Sequence, residues 1–322
     1  MKDWVGAHSA LHSAGPQAGR IEDLWWLMFW VCSAVFVLVM AALGAAIVRR
    51  RHPESGLPGP IPPESHRRMT RAVAAAVGVT ILTLFGLLIA SVSTGRAIAS
   101  LSAPHATVVK VTGYQWWWDV EYENAVPGRR VTTANEIHIP AGEPVLVRLA
   151  ANDVIHSFWV PNLHGKRDMI PGHDSEIWIQ ADRPGVYRGQ CAEFCGHQHA
   201  HMGFLVIAEP RQAFDAWYER QLQPAALPAT PLQQRGRQLV ETLPCALCHN
   251  LQGTDASGRT GPDLTHLASR RTLAAGTLPN TPGNLAGWIL DPQTVKPGNH
   301  MPANSMASGD LQALLAYLGS LK

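Results

Sequence analysis

Charge is scarce in this 322-residue sequence and close to balanced, with 26 basic against 24 acidic side chains and a formal net charge of +2. Nothing in that balance points to nucleic acid, a partner that calls for a basic surplus. Two long stretches, residues 24–48 and 72–95, hold no charged residue at all. Cysteine is sparse as well: there are five, and Cys32 stands alone inside the first uncharged stretch. Histidine is plentiful at 15, most of it in the second half, which hints at metals and nothing finer.

Each uncharged stretch exceeds the about 20 apolar residues that a helix needs to cross a hydrocarbon core. Trp25, Trp26 and Trp30 crowd the start of the first, as in an interfacial aromatic belt. Between the stretches lie Arg49, Arg50, Arg51, Arg67, Arg68 and Arg71, and the positive-inside rule puts that loop in the cytoplasm. Everything after Gly95 then falls on the periplasmic side. A cleaved signal peptide is the other reading of the first stretch, but the run is long for one and lacks an adjacent basic lead-in. The expectation is a helical hairpin with helices over about 24–48 and 72–95, and Cys32 as a small buried apolar residue.

Beyond the hairpin the pattern changes to short β-type segments at residues 108–122, 136–140, 144–149 and 176–180. Turn signals at Pro140-Ala141-Gly142 and Arg183-Pro184-Gly185 separate some of them. The spacing predicts an antiparallel sandwich or barrel, uninterrupted by any helix-period segment of useful length. Its chemistry lies in Cys191-Ala-Glu-Phe-Cys195-Gly-His-Gln-His199-Ala-His-Met202, with His156 upstream at a strand end. Thiol, imidazole and thioether together are soft donors that favour copper over hard cations. A mononuclear electron-transfer copper needs one thiolate, so a second is left over unless two coppers share both sulfurs. A structural Cys2His2 zinc has no use for Met202. Paired disulfides would ignore the longer ligand patterns around both cysteine pairs.

Residues 223–231 form a Pro/Ala connector, and a helix-like stretch from Gln233 leads to Cys245-Ala-Leu-Cys248-His249. C-x-x-C-H is the haem c attachment signature, with two thiols for thioether bonds and His249 as proximal ligand. A thioredoxin-like redox pair would have no need of the trailing histidine. Methionine as sixth ligand raises the potential, which suits a relay. The candidates are Met301, preferred, and Met306, with His266 and His300 behind them. Residues 311–321 read as an amphipathic terminal helix.

The copper loop, His156 and the run Gly113-Tyr-Gln-Trp-Trp-Trp-Asp-Val-Glu-Tyr122 resemble subunit II of cytochrome c oxidase, over about residues 20–210. That resemblance implies a cupredoxin fold with the binuclear CuA centre. Cys191 and Cys195 would bridge the coppers, His156 and His199 would each ligate one, Met202 would be a weak ligand, and the Glu193 backbone carbonyl would be the last. The Glu193 side chain would reach a magnesium ion at the subunit I interface, and Trp116 would be the point of electron entry. Family spacing favours His199 over its neighbours His197 and His201. Trp117 and Trp118 read as sheet or interface residues, and His164 and His173 as polar loop residues. Lys166 and Asp168 match an interface segment, but His173 stands where many relatives have arginine. The stretch His66-Arg-Arg-Met-Thr-Arg71 lacks the carboxylate that many relatives carry at a proton-channel mouth, so no proton role is assigned. From residue 233 to 322, Met301-Pro302 and Gly261-Pro262-Asp263-Leu264 resemble small class I cytochromes c. That likeness implies Met301 as distal ligand and a last helix packed on the first.

Together these parts imply a membrane protein: a two-helix transmembrane hairpin within residues 1–96, an all-β cupredoxin domain over 97–215, a linker over 216–232 and an all-α cytochrome c domain over 233–322. The implied role is subunit II of a haem-copper cytochrome c oxidase in a bacterial inner membrane. Electrons would come from cytochrome c or another periplasmic donor and pass on to subunit I, where oxygen is reduced and protons are translocated. The alternatives are the CuA subunit of a nitric oxide reductase or a membrane-anchored copper chaperone. A quinol oxidase subunit would lack the copper ligands.

Overall fold

The computed structural model describes residues 8–49, 63–100, 103–104 and 106–322, and the chain divides into two compact units. The smaller, Arg20–Ser100, holds most of α1 (Pro16–Val48) and all of α2 (Pro63–Ala99). At 1.5 Å per residue the uncharged part of α1 alone is about 37 Å long, enough for a hydrocarbon core of about 30 Å. Its flanks present Phe36, Val37 and Leu38, and those of α2 present Leu82, Phe85 and Ile89, all exposed. Apolar flanks left uncovered by other described residues suit a non-aqueous surrounding.

Both helices start earlier than the uncharged stretches do, about eight residues earlier in each case. Pro16 and Pro63 occupy the first helical turn, where a missing N–H costs nothing. Arg20, Glu22, Glu64, Arg67 and Arg68 are good helix formers that carry the backbone bonding up to the apolar part. Absence of charge marks a span, not the onset of helical hydrogen bonding. Of the loop arginines, Arg50 and Arg51 lie outside the described residues, while Arg67, Arg68 and Arg71 sit in the first turns of α2.

The larger unit contains a two-sheet β-sandwich followed by a helical region. Strands β1 (Thr107–Tyr114), β2 (Trp117–Glu123), β3 (Val131–Ala134), β4 (Glu136–Pro140) and β5 (Val145–Ala151) come first. They are followed by β6 (His156–Trp159), β7 (Arg167–Met169), β8 (Ser175–Ile179), β9 (Gly185–Cys191) and β10 (Gly203–Glu209). One sheet runs β3-β2-β1-β5-β8 and the other β4-β10-β9-β6-β7. Period-two alternation sends Val109, Val111, Trp118, Val120, Tyr122, Val145, Val147 and Leu149 inward from the first sheet. Ile137, Ile139, Phe158, Phe204 and Val206 meet them from the second. Residues 108–122, expected as one β-type stretch, are a hairpin: Val109 pairs with Tyr122 and Tyr114 with Trp117. A run of β-formers conceals its own turn when the turn residues, Gln115 and Trp116, are not turn formers.

Strand β10 is buried along nearly its whole length rather than on alternate residues. Its outer face is covered by the helical region, and the Gly203 amide donates to the carbonyl of Ala275 at 3.0 Å. That explains its unbroken apolar run Gly-Phe-Leu-Val-Ile-Ala. A helix also closes one end of the sandwich where none was expected. Helix α3 (Arg211–Gln221) buries Phe214 and Trp217, and Trp217 packs on Tyr122 and stacks on His138. It crosses the residue at which the linker was expected to begin, leaving residues 223–230 as the extended part. The i, i+3, i+4 spacing of Phe214, Trp217 and Tyr218 was the available sequence signal. At the other end the segment before α1 is bonded to the sandwich: Ala14 donates to Asn162 and accepts from Asp182. Gly15 lies so close there that a Cβ would fall 2.1 Å from the Gln180 carbonyl oxygen.

The helical region contains α4 (Pro231–Thr242), the single turn α5 (Cys245–Cys248), the short pair β11 (Thr272–Leu273) and β12 (Leu278–Pro279), then α6 (Pro282–Leu290), α7 (Pro292–Val295) and α8 (Ser308–Leu318). Thr230 caps α4 by accepting from the Gln233 amide, and Pro231 takes the first position. Helix α8 crosses α4 at Gly236, where a Cβ would lie 2.1 Å from the Ala313 carbonyl oxygen. First and last helices therefore pack backbone to backbone, with Leu239, Val240, Leu314, Tyr317 and Leu318 buried around the crossing. The expected architecture of apolar helices, all-β domain and helical domain is the one observed, except that the sandwich is mixed rather than antiparallel: β1 pairs with β5 and β10 with β4 in parallel.

Candidate functional site

The sandwich brings His156, Cys191, Cys195, His199 and Met202 to one end. His156 opens β6 and Cys191 closes β9, two paired strands, with Phe158 opposite Cys191. The loop that follows returns at Met202, whose carbonyl accepts from the Cys191 amide at 2.9 Å. Strand pairing thus fixes the distant histidine beside the loop. The two Sγ atoms are 3.7 Å apart, without a disulfide. His156 Nδ1 lies 3.8 Å from Cys191 Sγ, and His199 Nδ1 lies 3.6 Å from Cys195 Sγ. Met202 Sδ is 3.7 Å from Cys195 Sγ, and the Glu193 carbonyl oxygen is 3.2 Å from Cys191 Sγ. Each sulfur therefore has an imidazole and a weaker donor beside it.

The chemistry of this donor set fits metal. The Cys195 thiol favours ionising its neighbour and pushes Cys191 down to about 4. Through the same bond, and with burial, Cys195 is pushed well up. Two buried thiolates at this distance need cationic charge between them to coexist. His156 is oriented for ligation, since its Nε2 is bonded to Asp153 Oδ1 at 2.8 Å and its Nδ1 is left facing the sulfurs. Asp153 is itself fixed by the amides of Gln115 and Val154. Sequence reasoning missed this residue, although an acid three positions before a candidate ligand was a usable signal.

Trp116 lies at the edge of the cluster and is 6% exposed. Its indole Nε1 donates to the Cys195 carbonyl at 2.8 Å, and Gln115 Nε2 donates to the same oxygen. Trp117 stacks on Tyr114, and Trp118 is wholly buried between the sheets. His201 is bonded to Gln198 rather than directed at the sulfurs. Lys166 Nζ is 3.7 Å from the Glu193 carboxylate, an exposed pair, and Phe194 beside it stands out from the surface.

In the helical region Cys245 and Cys248 lie one turn apart on α5, both free, with His249 next. His249 Nδ1 is bonded to the Pro262 carbonyl oxygen at 2.7 Å, which reserves Nε2 for a metal. Burial pushes this imidazole down, so it is neutral at pH 7 and able to ligate. Gly261 closes against the ring: a Cβ there would sit 2.8 Å from His249 Cε1. A one-turn helix with two free thiols and an oriented neutral imidazole suits covalent haem. Of the sixth-ligand candidates, His266 has both ring nitrogens bonded to carbonyls, those of Lys322 and Gln223. Met306 packs against the helical core. Met301 lies on a loop whose backbone is held by Asn299 and Gln293. The His300 ring faces Trp116, with centroids 6.1 Å apart.

Residues 107–209 match the family model of cytochrome c oxidase subunit II, periplasmic domain, and residues 233–322 match that of cytochrome c. The chain is 39% identical over 324 residues to cytochrome c oxidase subunit 2 of Alkalihalophilus pseudofirmus, covering 98% of this chain and 91% of the relative. This chain belongs to the cytochrome c oxidase subunit II family. Cytochrome c oxidase subunit 2 of a Bacillus species is 34% identical, with 76% of this chain and 72% of the relative covered. The periplasmic domain of subunit II from Bradyrhizobium japonicum, a solved structure, is 30% identical with a TM-score of 0.34, covering 37% of this chain and 95% of that one. As a subunit II with a cytochrome c domain, the chain is an electron-transfer component of an oxidoreductase complex and a partner of other oxidase subunits. Its sandwich is of the CuA type and its helical domain is of the haem type. The two apolar helices agree with a membrane anchor.

Proposed function

We propose that this chain relays electrons from a periplasmic donor, cytochrome c or one like it, through haem c to a binuclear copper centre and on to subunit I, where oxygen is reduced to water. Bound haem and copper supply the one-electron redox chemistry; the chain's own residues hold them and set the distance between them. Cys245 and Cys248 would carry the haem covalently, and His249 and Met301 would supply the ligands to its iron. His156, Cys191, Cys195, His199, Met202 and the Glu193 carbonyl hold two coppers. The observation that carries this reading is the pair of sulfurs 3.7 Å apart, each with its own imidazole. One tetrahedral zinc or one electron-transfer copper would leave donors over.

The remaining residues prepare these sites. Asp153 orients His156, and the Pro262 carbonyl orients His249. Trp116 is the side chain through which electrons reach the copper loop, by its indole bond to Cys195. The Glu193 side chain, exposed beside Phe194, would take magnesium at the face toward subunit I. The domains divide after α2 and across the extended residues 223–230, with the hairpin in the inner membrane and both soluble domains outside. The test is the full chain, matured with copper and haem c in detergent. Paramagnetic resonance with hyperfine structure from two equivalent coppers, beside a haem c optical spectrum, is the expected result. A single copper or zinc alone would overturn the copper assignment.

A further inference from the structure

The helical domain is not merely tethered to the sandwich. Glu136 of β4, 2% exposed, accepts from the amides of Arg271 and Thr272. Gly203 of β10 donates to Ala275, and Gln198 Nε2 donates to the Pro297 carbonyl at 2.7 Å. Lys296, which follows α7 and is 3% exposed, is buried nearly as deeply as Glu136. Its amino group donates to the main-chain carbonyl of Trp116 at 2.7 Å and lies 3.4 Å from that of Ala274. A lysine is rarely buried without a reason, and its partner here is the backbone of Trp116, whose indole is bonded to the copper loop. Four residues on, His300 is exposed on its outer side and faces the Trp116 ring.

We propose that Lys296 is a positioning residue for the internal electron-transfer step, fastening the 296–301 loop to the Trp116 backbone so that the His300 and Trp116 rings form the packed path through which the electron tunnels toward Cys195. This rests on the haem and copper reading above and adds its route. One electron leaves the reduced haem domain and is taken up at copper; no bond is made or broken and no proton moves. The arrangement also seals Trp116 from solvent, so an external donor has no access to that indole. The position of the loop is what a buried polar contact specifies better than apolar packing would, because a shifted register takes the Lys296 donor from the Trp116 carbonyl and leaves the ammonium buried without it.

The test uses the full chain matured with both cofactors, with Lys296→Met and His300→Ala as variants. Hydrogen exchange at the interdomain amides of Gly203, Arg271 and Thr272 reports undocking whether or not the cofactors are functional. Lys296→Met is expected to exchange there about tenfold faster, the factor set by a tenfold loss of docking equilibrium. Electron transfer from photoreduced haem to copper should then slow and become dependent on viscosity. His300→Ala, an exposed substitution, should slow the transfer severalfold with exchange, copper resonance and the haem sulfur–iron band unchanged. Unchanged exchange in Lys296→Met overturns the positioning role, and an unchanged rate in His300→Ala overturns the route. If the wild-type chain lacks either cofactor signature, the proposed function fails instead, and exchange alone still decides the role of Lys296.

Discussion

The copper cluster and the haem turn are each built around a cysteine pair on a short loop, yet they draw on the fold differently. Cys191, Cys195, His156 and Met202 are buried, with their donor atoms already converged on one another. The two haem thiols instead come from a single turn, Cys245 and Cys248 of α5, with His249 next to them. The difference follows from how each group is held. Coordination to copper needs donors placed to within tenths of an ångström, and the pairing of β6 with β9 brings His156 and Cys191 together for it. Thioether bonds hold the haem by covalent chemistry, so α5 has only to present two sulfurs one turn apart and an oriented His249.

Several substitutions would break or sharpen that contrast. The largest effect is expected from removing one thiol of each pair. Cys191→Ser should abolish the binuclear copper resonance and leave the haem spectrum intact, while Cys245→Ala should do the reverse; loss of both signals from either variant would show the sites to be interdependent. Asp153→Ala comes next. It frees the His156 ring without touching a donor, and copper affinity should fall about 10–100-fold, as read by competition with a chelator. Gly236→Val forces a side chain against the Ala313 carbonyl at the α4–α8 crossing. It should destabilise the haem domain by about 1–3 kcal/mol, lowering that domain's thermal midpoint while the copper resonance survives to its usual temperature.

The smallest effect concerns pH. Burial pushes Glu136 up to about 7 from an ordinary 4.5, even against the bonds from Thr272 and Arg271. Between these values the unfolded chain has released the proton that the folded chain still holds. The contribution of Glu136 to stability is therefore full below about 4.5 and is lost as pH rises through about 7. Glu136→Gln should flatten the fall in thermal midpoint over that window, and an unchanged or steeper slope would contradict it.

The contiguous parts of both sites were legible in the sequence because their chemistry is local: Cys191 to Met202 is one loop, and Cys245 to His249 is one turn. His156 could be proposed from a strand end, but its placement depends on the pairing of β6 with β9. The two membrane helices were visible through missing charge, whereas their true starts, set by proline and helix formers, were not. Helix α3 and the Gln115-Trp116 turn were hidden in segments whose composition resembled their surroundings.

By itself the sequence determined the donor types, their local spacing, the uncharged spans and the order of the domains, since each of these is carried by neighbours along the chain. Only the tertiary structure decided which atoms converge. Asp153 against His156, Gly236 against Ala313, and Lys296 and His300 against Trp116 are contacts between residues that no local pattern links, or links too weakly to be noticed. Strand register and the docking of one domain on another set those distances, and both depend on burying apolar surface across the whole fold.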